Sequence, residues 1–201
     1  MITTEQINRI LNVNDSYKQP AKLLDLMLDD KKRVETFLRF LEIETNMSYE
    51  WFQGSYELEH ADRKGGKQDF TPHALGKLLS RLVMDASPTH YFEAACGNGG
   101  VMINHWNEQR MAIGIAKYNP KSLWYHVEEL SDRSLPFLIF NMAIRGINGV
   151  ILHGDSITRE FKDVYFIRNM SQVYGGFSEV IKMEKTEYLM KEYTIRKWMH
   201  D

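Results

Sequence analysis

The chain has 201 residues, 43% of them hydrophobic, and a formal net charge of −2 at pH 7. That length allows one domain or one domain with an appendage. The apolar content excludes a disordered chain, and the charge excludes the overall basic excess common in free-standing DNA binders. The single cysteine, Cys96, excludes an internal disulfide framework and a cysteine-rich zinc site, and no metal is expected.

Met1-Ile2-Thr3-Thr4-Glu5 lacks the basic start and apolar centre of a signal peptide. No apolar run approaches the roughly 20 residues of a membrane span. The reading is therefore cytoplasmic, with no membrane partner. Residues 1–62 read as a helical segment. Thr3 caps a first helix with Ile7, Ile10 and Leu11 on its apolar face. Pro20 opens a second, striped by Leu23, Leu24, Met27 and Leu28. A third starts near Lys31 with Val34, Phe37, Leu38 and Leu41 on one face.

Residues 61–69 are polar and contain glycines, the best candidate linker, so a second domain is expected over 63–201. The run Arg63-Lys64-Gly65-Gly66-Lys67 reads as a solvated loop before it reads as a nucleic-acid patch. Phe70-Thr71-Pro72 opens a helix with Leu75, Leu78, Leu79, Leu82 and Val83 as its buried face, ended by Ser87-Pro88. His90-Tyr91-Phe92-Glu93 then reads as a strand passing into Ala94-Ala95-Cys96-Gly97-Asn98-Gly99-Gly100 and a helix from Val101. Leu123 to Glu129 reads as a second strand, and Ser131 caps the helix of Leu138, Ile139, Met142 and Ala143. Gly149 to Asp155 is a third strand and Val164 to Ile167 a fourth. Phe177 to Met183 alternates like a strand, and Glu187 to Met199 fits a helix or a last strand. Strands alternating with helices predict an α/β fold with a mostly parallel sheet and helices on both faces.

Three strand ends carry an acid: Glu93, Glu129 and Asp155. Open α/β sheets bind ligands outside the carboxyl ends of their strands. Glycine lets the loop take positive φ and approach a ligand, and a carboxylate can accept two hydrogen bonds from a ribose diol. Met102 stands where a dinucleotide fingerprint needs its third glycine, and no Gly-Lys-Ser/Thr follows the loop. A nucleoside without phosphates, S-adenosylmethionine, is therefore the expected ligand. Taken singly, Glu93 reads equally as a solvent-facing acid, Asp155 as a turn residue after Gly154, and Cys96 as a small packing residue.

Phe92-Glu93-Ala94-Ala95-Cys96-Gly97-Asn98-Gly99-Gly100 resembles the D-P-A-C-G-S-G-G signature of N6-adenine DNA methyltransferases, most of all the modification subunit of type I restriction–modification systems. Gln68-Asp69-Phe70-Thr71-Pro72 resembles that family's upstream G-Q-x-F-T-P element. Glu129 and Asn141, 12 residues apart, match its acid and the asparagine of M-N-L-x-L-H-G-I, and His153-Gly154-Asp155-Ser156-Ile157 matches G-D-T/S-L. The resemblance implies a Rossmann-like methyltransferase fold and S-adenosylmethionine as cofactor. It gives Gln68, Phe70, Thr71 and Pro72 the methionine end, Glu93, Ala95, Gly97, Asn98 and Gly99 the loop, Glu129 the ribose, and Asp155 with Ser156 the adenine amino group. DNA is the implied partner, reached with a specificity subunit, and oligomerisation is compatible with it.

One element departs from the family. Its catalytic N/D-P-P-Y/F motif is replaced by Asn169-Met170-Ser171-Gln172, with Tyr165 or Tyr174 as the nearest aromatics. The prolines fix φ and shape the turn that aims a backbone carbonyl. Asn169 is the one candidate catalytic residue. The reading expects the donor half to be kept and leaves open three functions: DNA adenine-N6 methylation; a non-enzymatic binding module, regulator or decoy, on the same fold; and methylation of a different acceptor, a small molecule or protein, against which the Phe70-Thr71-Pro72 resemblance argues.

Overall fold

The computed structural model describes residues 2–55, 75–76, 78–79, 89–171 and 175–199. Helix α1 spans Thr4–Leu11, and Thr3 with Gln6 forms the reciprocal capping box that satisfies its first N–H groups. Helix α2 spans Gln19–Met27 with Pro20 in its first turn. Helix α3 spans Asp30–Leu41, and its capping Asp29 accepts from Lys32 N. Ile7, Ile10, Leu11, Leu23 and Met27 are buried as expected, whereas Leu28 is exposed.

The face of α3 is turned by one position from the expected one. Arg33, Thr36, Phe37 and Phe40 are buried, while Val34 and Leu38 are exposed. Arg33 goes inside because its guanidinium donates to Met27 O at 3.0 Å and to Asp30 at 2.7 Å. A cation so satisfied can be buried where sequence periodicity expects none. Leu75, Leu78 and Leu79, expected to be buried, are exposed; Leu82 and Val83 lie outside the described residues.

Strands β1 (His90–Glu93), β2 (Trp124–Glu129) and β3 (Asn148–Asp155) are adjacent and parallel. Helices α4 (Gly100–Ile113) and α5 (Leu135–Ile144) make the crossovers between them. Strand β4 (Glu160–Arg168) then returns antiparallel to β3, and β5 (Glu179–Lys182) antiparallel to β4. A short helix α6 (Glu187–Glu192) leads to β6 (Lys197–Trp198), parallel to β4. The sheet order is β1-β2-β3-β4-β5, with β6 also beside β4.

The sheet is thus a mixed one. Between consecutive strands, parallel pairing holds through β3 and gives way at β4, because only residues 156–159 join β3 to β4. Parallel neighbours need a crossover of about a dozen residues or more.

Alternation puts Tyr125, Val127, Ile151, Tyr165 and Ile167 on the sheet face covered by α2 to α5. Val150, Leu152, Val164 and Phe166 face the other way, toward Leu189 of α6. The N-terminal segment shares the first core: Phe140 of α5 meets Phe40 at 4.8 Å and Phe52 at 5.0 Å between ring centroids.

Candidate functional site

The parallel strands end in steps along one sheet edge. Glu93 is level with Val127, Glu129 with His153, and Asp155 with Glu160 on β4. The loop after β1 winds through three left-handed residues, Ala95 (φ 55°), Gly97 (φ 59°) and Gly99 (φ 90°). A left-handed alanine costs about 1–2 kcal/mol, so its surroundings must hold it. Cys96 N donates to Glu128 O at 3.0 Å and Gly99 N to Cys96 O at 3.0 Å. Gly99 caps α4, and a Cβ there would stand 2.9 Å from Met102 Cε and 3.0 Å from Leu138 Cδ1.

The acids hold this loop. Glu129 accepts from Gly97 N through one oxygen and from Ser131 N through the other, both at 2.7 Å. Glu93 accepts from Tyr91 OH at 2.7 Å and lies 3.4 Å from the Cys96 thiol. Burial raises both carboxyls above their ordinary range against the pull of these donors. Burial, with the charge of Glu93, pushes the Cys96 thiol well up. The thiolate, the nucleophilic form, is therefore suppressed.

Asn98 stands out within the loop. It is 1% exposed, and among the described residues neither its side-chain Nδ2 nor its Oδ1 makes a well-formed hydrogen bond, although the amide lies beside the Glu50 carboxyl. Its backbone carbonyl accepts from Asn141 Nδ2 of α5 at 2.9 Å. The same Nδ2 donates to Glu50 Oε1 at 2.8 Å, and Arg145 donates to Asn141 Oδ1 at 2.8 Å. Glu50 and Arg145 were not singled out in the sequence. The available signal was an acid set in the aromatic run Tyr49-Glu50-Trp51-Phe52.

The structure brings Glu93, Ala95, Gly97, Asn98, Gly99 and Glu129 together. Gln68, Phe70, Thr71, Pro72 and Tyr174 lie outside the described residues. Asp155 shares the sheet edge, but its carboxylate closes the β3–β4 turn by accepting from Ile157 N at 2.8 Å and Thr158 N at 3.3 Å. Those backbone donors hold its pKa below the ordinary value.

Ser156 lies close enough to Glu128 to favour its ionised carboxylate. Burial alone would raise the Glu128 pKa, but His126, Arg159 and Ser156 together hold it down. Arg159 reaches both oxygens of Glu128 at 2.8 Å under a groove of about 630 Å³ walled by Phe92, Trp124 and Tyr193.

Asn169 is displaced from the role expected of it. The antiparallel course of β4 carries it to the amino end of β3, where its N–H donates to Asn148 Oδ1 at 2.7 Å. Its Nδ2 donates to Gly146 O and Gly176 O, both at 3.0 Å, and its Oδ1 accepts from Ser171 N at 2.8 Å. The amide of Asn169 is engaged in shaping the turn at the end of the sheet opposite the glycine loop. Tyr165 is buried in the core.

Comparison with known families matches residues 45–175, 131 of the 201 residues, to N-6 DNA methylase. The chain belongs to the N-6 DNA methylase family. Membership gives it an N-6 DNA methyltransferase-like function with DNA as the substrate class, in a family of S-adenosylmethionine-dependent enzymes. The matched stretch includes Glu50, the glycine loop and Asn141, and leaves α1 to α3 outside. No curated protein and no solved structure matches the chain. Among the described residues, no helix is long and apolar enough to cross a membrane, and no cluster of His, Cys, Asp and Glu could hold a metal ion.

Proposed function

We propose that this chain is the donor half of a restriction–modification DNA adenine methyltransferase of type I character. It holds S-adenosylmethionine at the β1 loop, on a Rossmann-like arrangement of β1 to β3, in the cytoplasm. A specificity subunit presents the DNA, and the chain alone does not methylate it. One observation carries the reading: the acid ending β2 grips the glycine loop ending β1, Glu129 to Gly97 N, at 2.7 Å.

The donor set fits the ligand. Each Glu129 oxygen spends one acceptor site on a backbone N–H, and a carboxylate oxygen has a second for a ribose hydroxyl. The Asn98 amide, loosely held beside Glu50, has donor and acceptor capacity left. Among the described residues no lysine or arginine bonds the loop, which disfavours a phosphate. Two nearby carboxyls suit a cationic ligand instead. S-adenosylmethionine supplies, when bound, a methyl group activated on a sulfonium. The protein's part is to orient it and exclude water. By resemblance, Gln68, Phe70, Thr71 and Pro72 close the methionine end. The target adenine has to be taken out of the duplex, and the wall that receives it is not built around Asn169.

Calorimetry with S-adenosylmethionine and S-adenosylhomocysteine tests the first part. Both bind, and Glu129→Ala weakens binding about tenfold or more, the scale of one buried charge-assisted bond. Absence of binding removes the donor reading. A tritium-transfer assay tests the second: the chain alone transfers nothing to DNA, and transfer by the chain alone would falsify the donor-half reading. The engaged side chain of Asn169 favours a second reading, a binding module without turnover. That reading is retained if no partner restores transfer.

A further inference from the structure

We propose that Glu50 is a positioning residue for the glycine loop, acting through Asn141 to fix the turn at Asn98. The proposal rests on the reading that the loop holds the methyl donor.

Glu50 lies in the irregular stretch after α3, 8% exposed. Its Oε1 accepts from Phe52 N at 2.9 Å and from Asn141 Nδ2 at 2.8 Å. Asn141 spends its other amide hydrogen on Asn98 O at 2.9 Å. On its far side, Asn141 Oδ1 accepts from Arg145, which also donates to Met47 O at 3.0 Å and Tyr49 O at 2.6 Å. The amide is therefore oriented at both ends: its oxygen faces a guanidinium and its nitrogen faces two acceptors. A flipped amide would set oxygen against Glu50 and against Asn98 O.

Glu50 touches the loop a second way. The Asn98 side-chain amide lies close enough to favour the ionised carboxylate, yet Glu50 Oε2 and both Asn98 side-chain polar atoms lack a well-formed hydrogen bond. Burial pushes the Glu50 carboxyl up against the pull of Asn141, Phe52 N and the Arg145 charge, so the ionised acid is costly here. An apolar side chain would fill the same space beside Trp51 and Phe52 without that penalty. What the acid adds is direction: it holds Asn141, and Asn141 holds the loop. A packing residue lowers stability when removed. A positioning residue loosens one loop and is rescued by an isostere that keeps the acceptor.

The full-length chain is titrated with S-adenosylmethionine, and amide hydrogen exchange is followed in the loop at residues 93–100 and in the β4–β5 hairpin as a control. Glu50→Ala weakens binding and speeds loop exchange, each about tenfold, the effect of one lost buried hydrogen bond. Hairpin exchange is unchanged. Glu50→Gln, which keeps an acceptor for Asn141 and Phe52, stays within about twofold of the parent on both readouts. Should Glu50→Ala fail to fold, Asn141→Ser cuts the link to Asn98 while keeping the acid and gives the same contrast. Loop exchange in the folded variant equal to the parent's overturns the proposal. If the parent does not bind S-adenosylmethionine, the donor reading fails by that result, and loop exchange alone decides the role of Glu50.

Discussion

Asn98 and Asn169 are both buried, at opposite ends of one sheet, and the protein treats them differently. At the hairpin end, Asn169 spends its whole amide on Gly146, Gly176 and Ser171. At the loop end, among the described residues, the Asn98 side chain makes no well-formed hydrogen bond, beside carboxyls that burial holds above their ordinary pKa. Buried polar groups are normally satisfied, and leaving one unpaired costs about 1–3 kcal/mol. A satisfied asparagine is there to hold the fold. A loosely held one among raised acids is a candidate ligand contact.

The largest way to break the contrast is Gly146→Ala. Gly146 has φ 67°, and its new Cβ would run into Gly176 O and come within 2.6 Å of Asn169 Nδ2. Left-handed strain, overpacking and a displaced hydrogen bond sum to about 4 kcal/mol. Thermal melting would show it, and an unchanged melt would refute the hairpin-end account.

Next comes acid at the loop end. Burial lowers His105 from 6.5 to about 4 as it packs against Tyr91, ring centroids 4.4 Å apart. A neutral histidine buried in this way resists charging, so its stability contribution is whole above pH 6.5 and is lost as pH falls toward 4. The loss reaches about 3 kcal/mol. In His105→Phe the acid limb of a stability–pH profile flattens by that amount; an unaltered limb counts against it.

Asn169→Ala comes third, at about 2 kcal/mol by chemical denaturation, with S-adenosylmethionine affinity untouched. A loss of affinity would overturn the separation of Asn169 from the glycine loop. Asn98→Ala is the mirror image and the smallest in stability, under about 1 kcal/mol, because no well-formed side-chain bond is lost. Its effect appears in ligand affinity instead. A destabilisation as large as that of Asn169→Ala would show that Asn98 is structural after all.

The loop end was legible in the sequence because its signals are local. Glycines at Gly97 and Gly99, acids closing Glu93 and Glu129, and the strand–turn–helix order all lie within short windows. The hairpin end was misread because strand pairing is not local. Starting the fourth strand at Val164 hid the shortness of the β3–β4 connection. With its true start at Glu160, four residues remain, and only an antiparallel return fits. That return moved Asn169 from the loop to the far end. The turned face of α3 has a similar origin: periodicity assigns arginine to solvent, and Arg33 was buried by bonds to partners in the preceding turn and on its own helix. Glu50 escaped notice because its meaning lies in Asn141, 91 residues away.

Cys96 gives the loop a clock of its own. It is the chain's one thiol, 6% exposed, at the bend that Glu93 and Glu128 hold in place. Alkylating reagents need the thiolate and a path to it, and burial denies both while the loop is closed. Labelling therefore waits for opening, and its rate in native buffer counts openings of this one turn. Local opening has its own free energy, distinct from that of global unfolding. A single sulfur thus times how often the strand-to-helix turn comes undone, with no probe added and no residue changed.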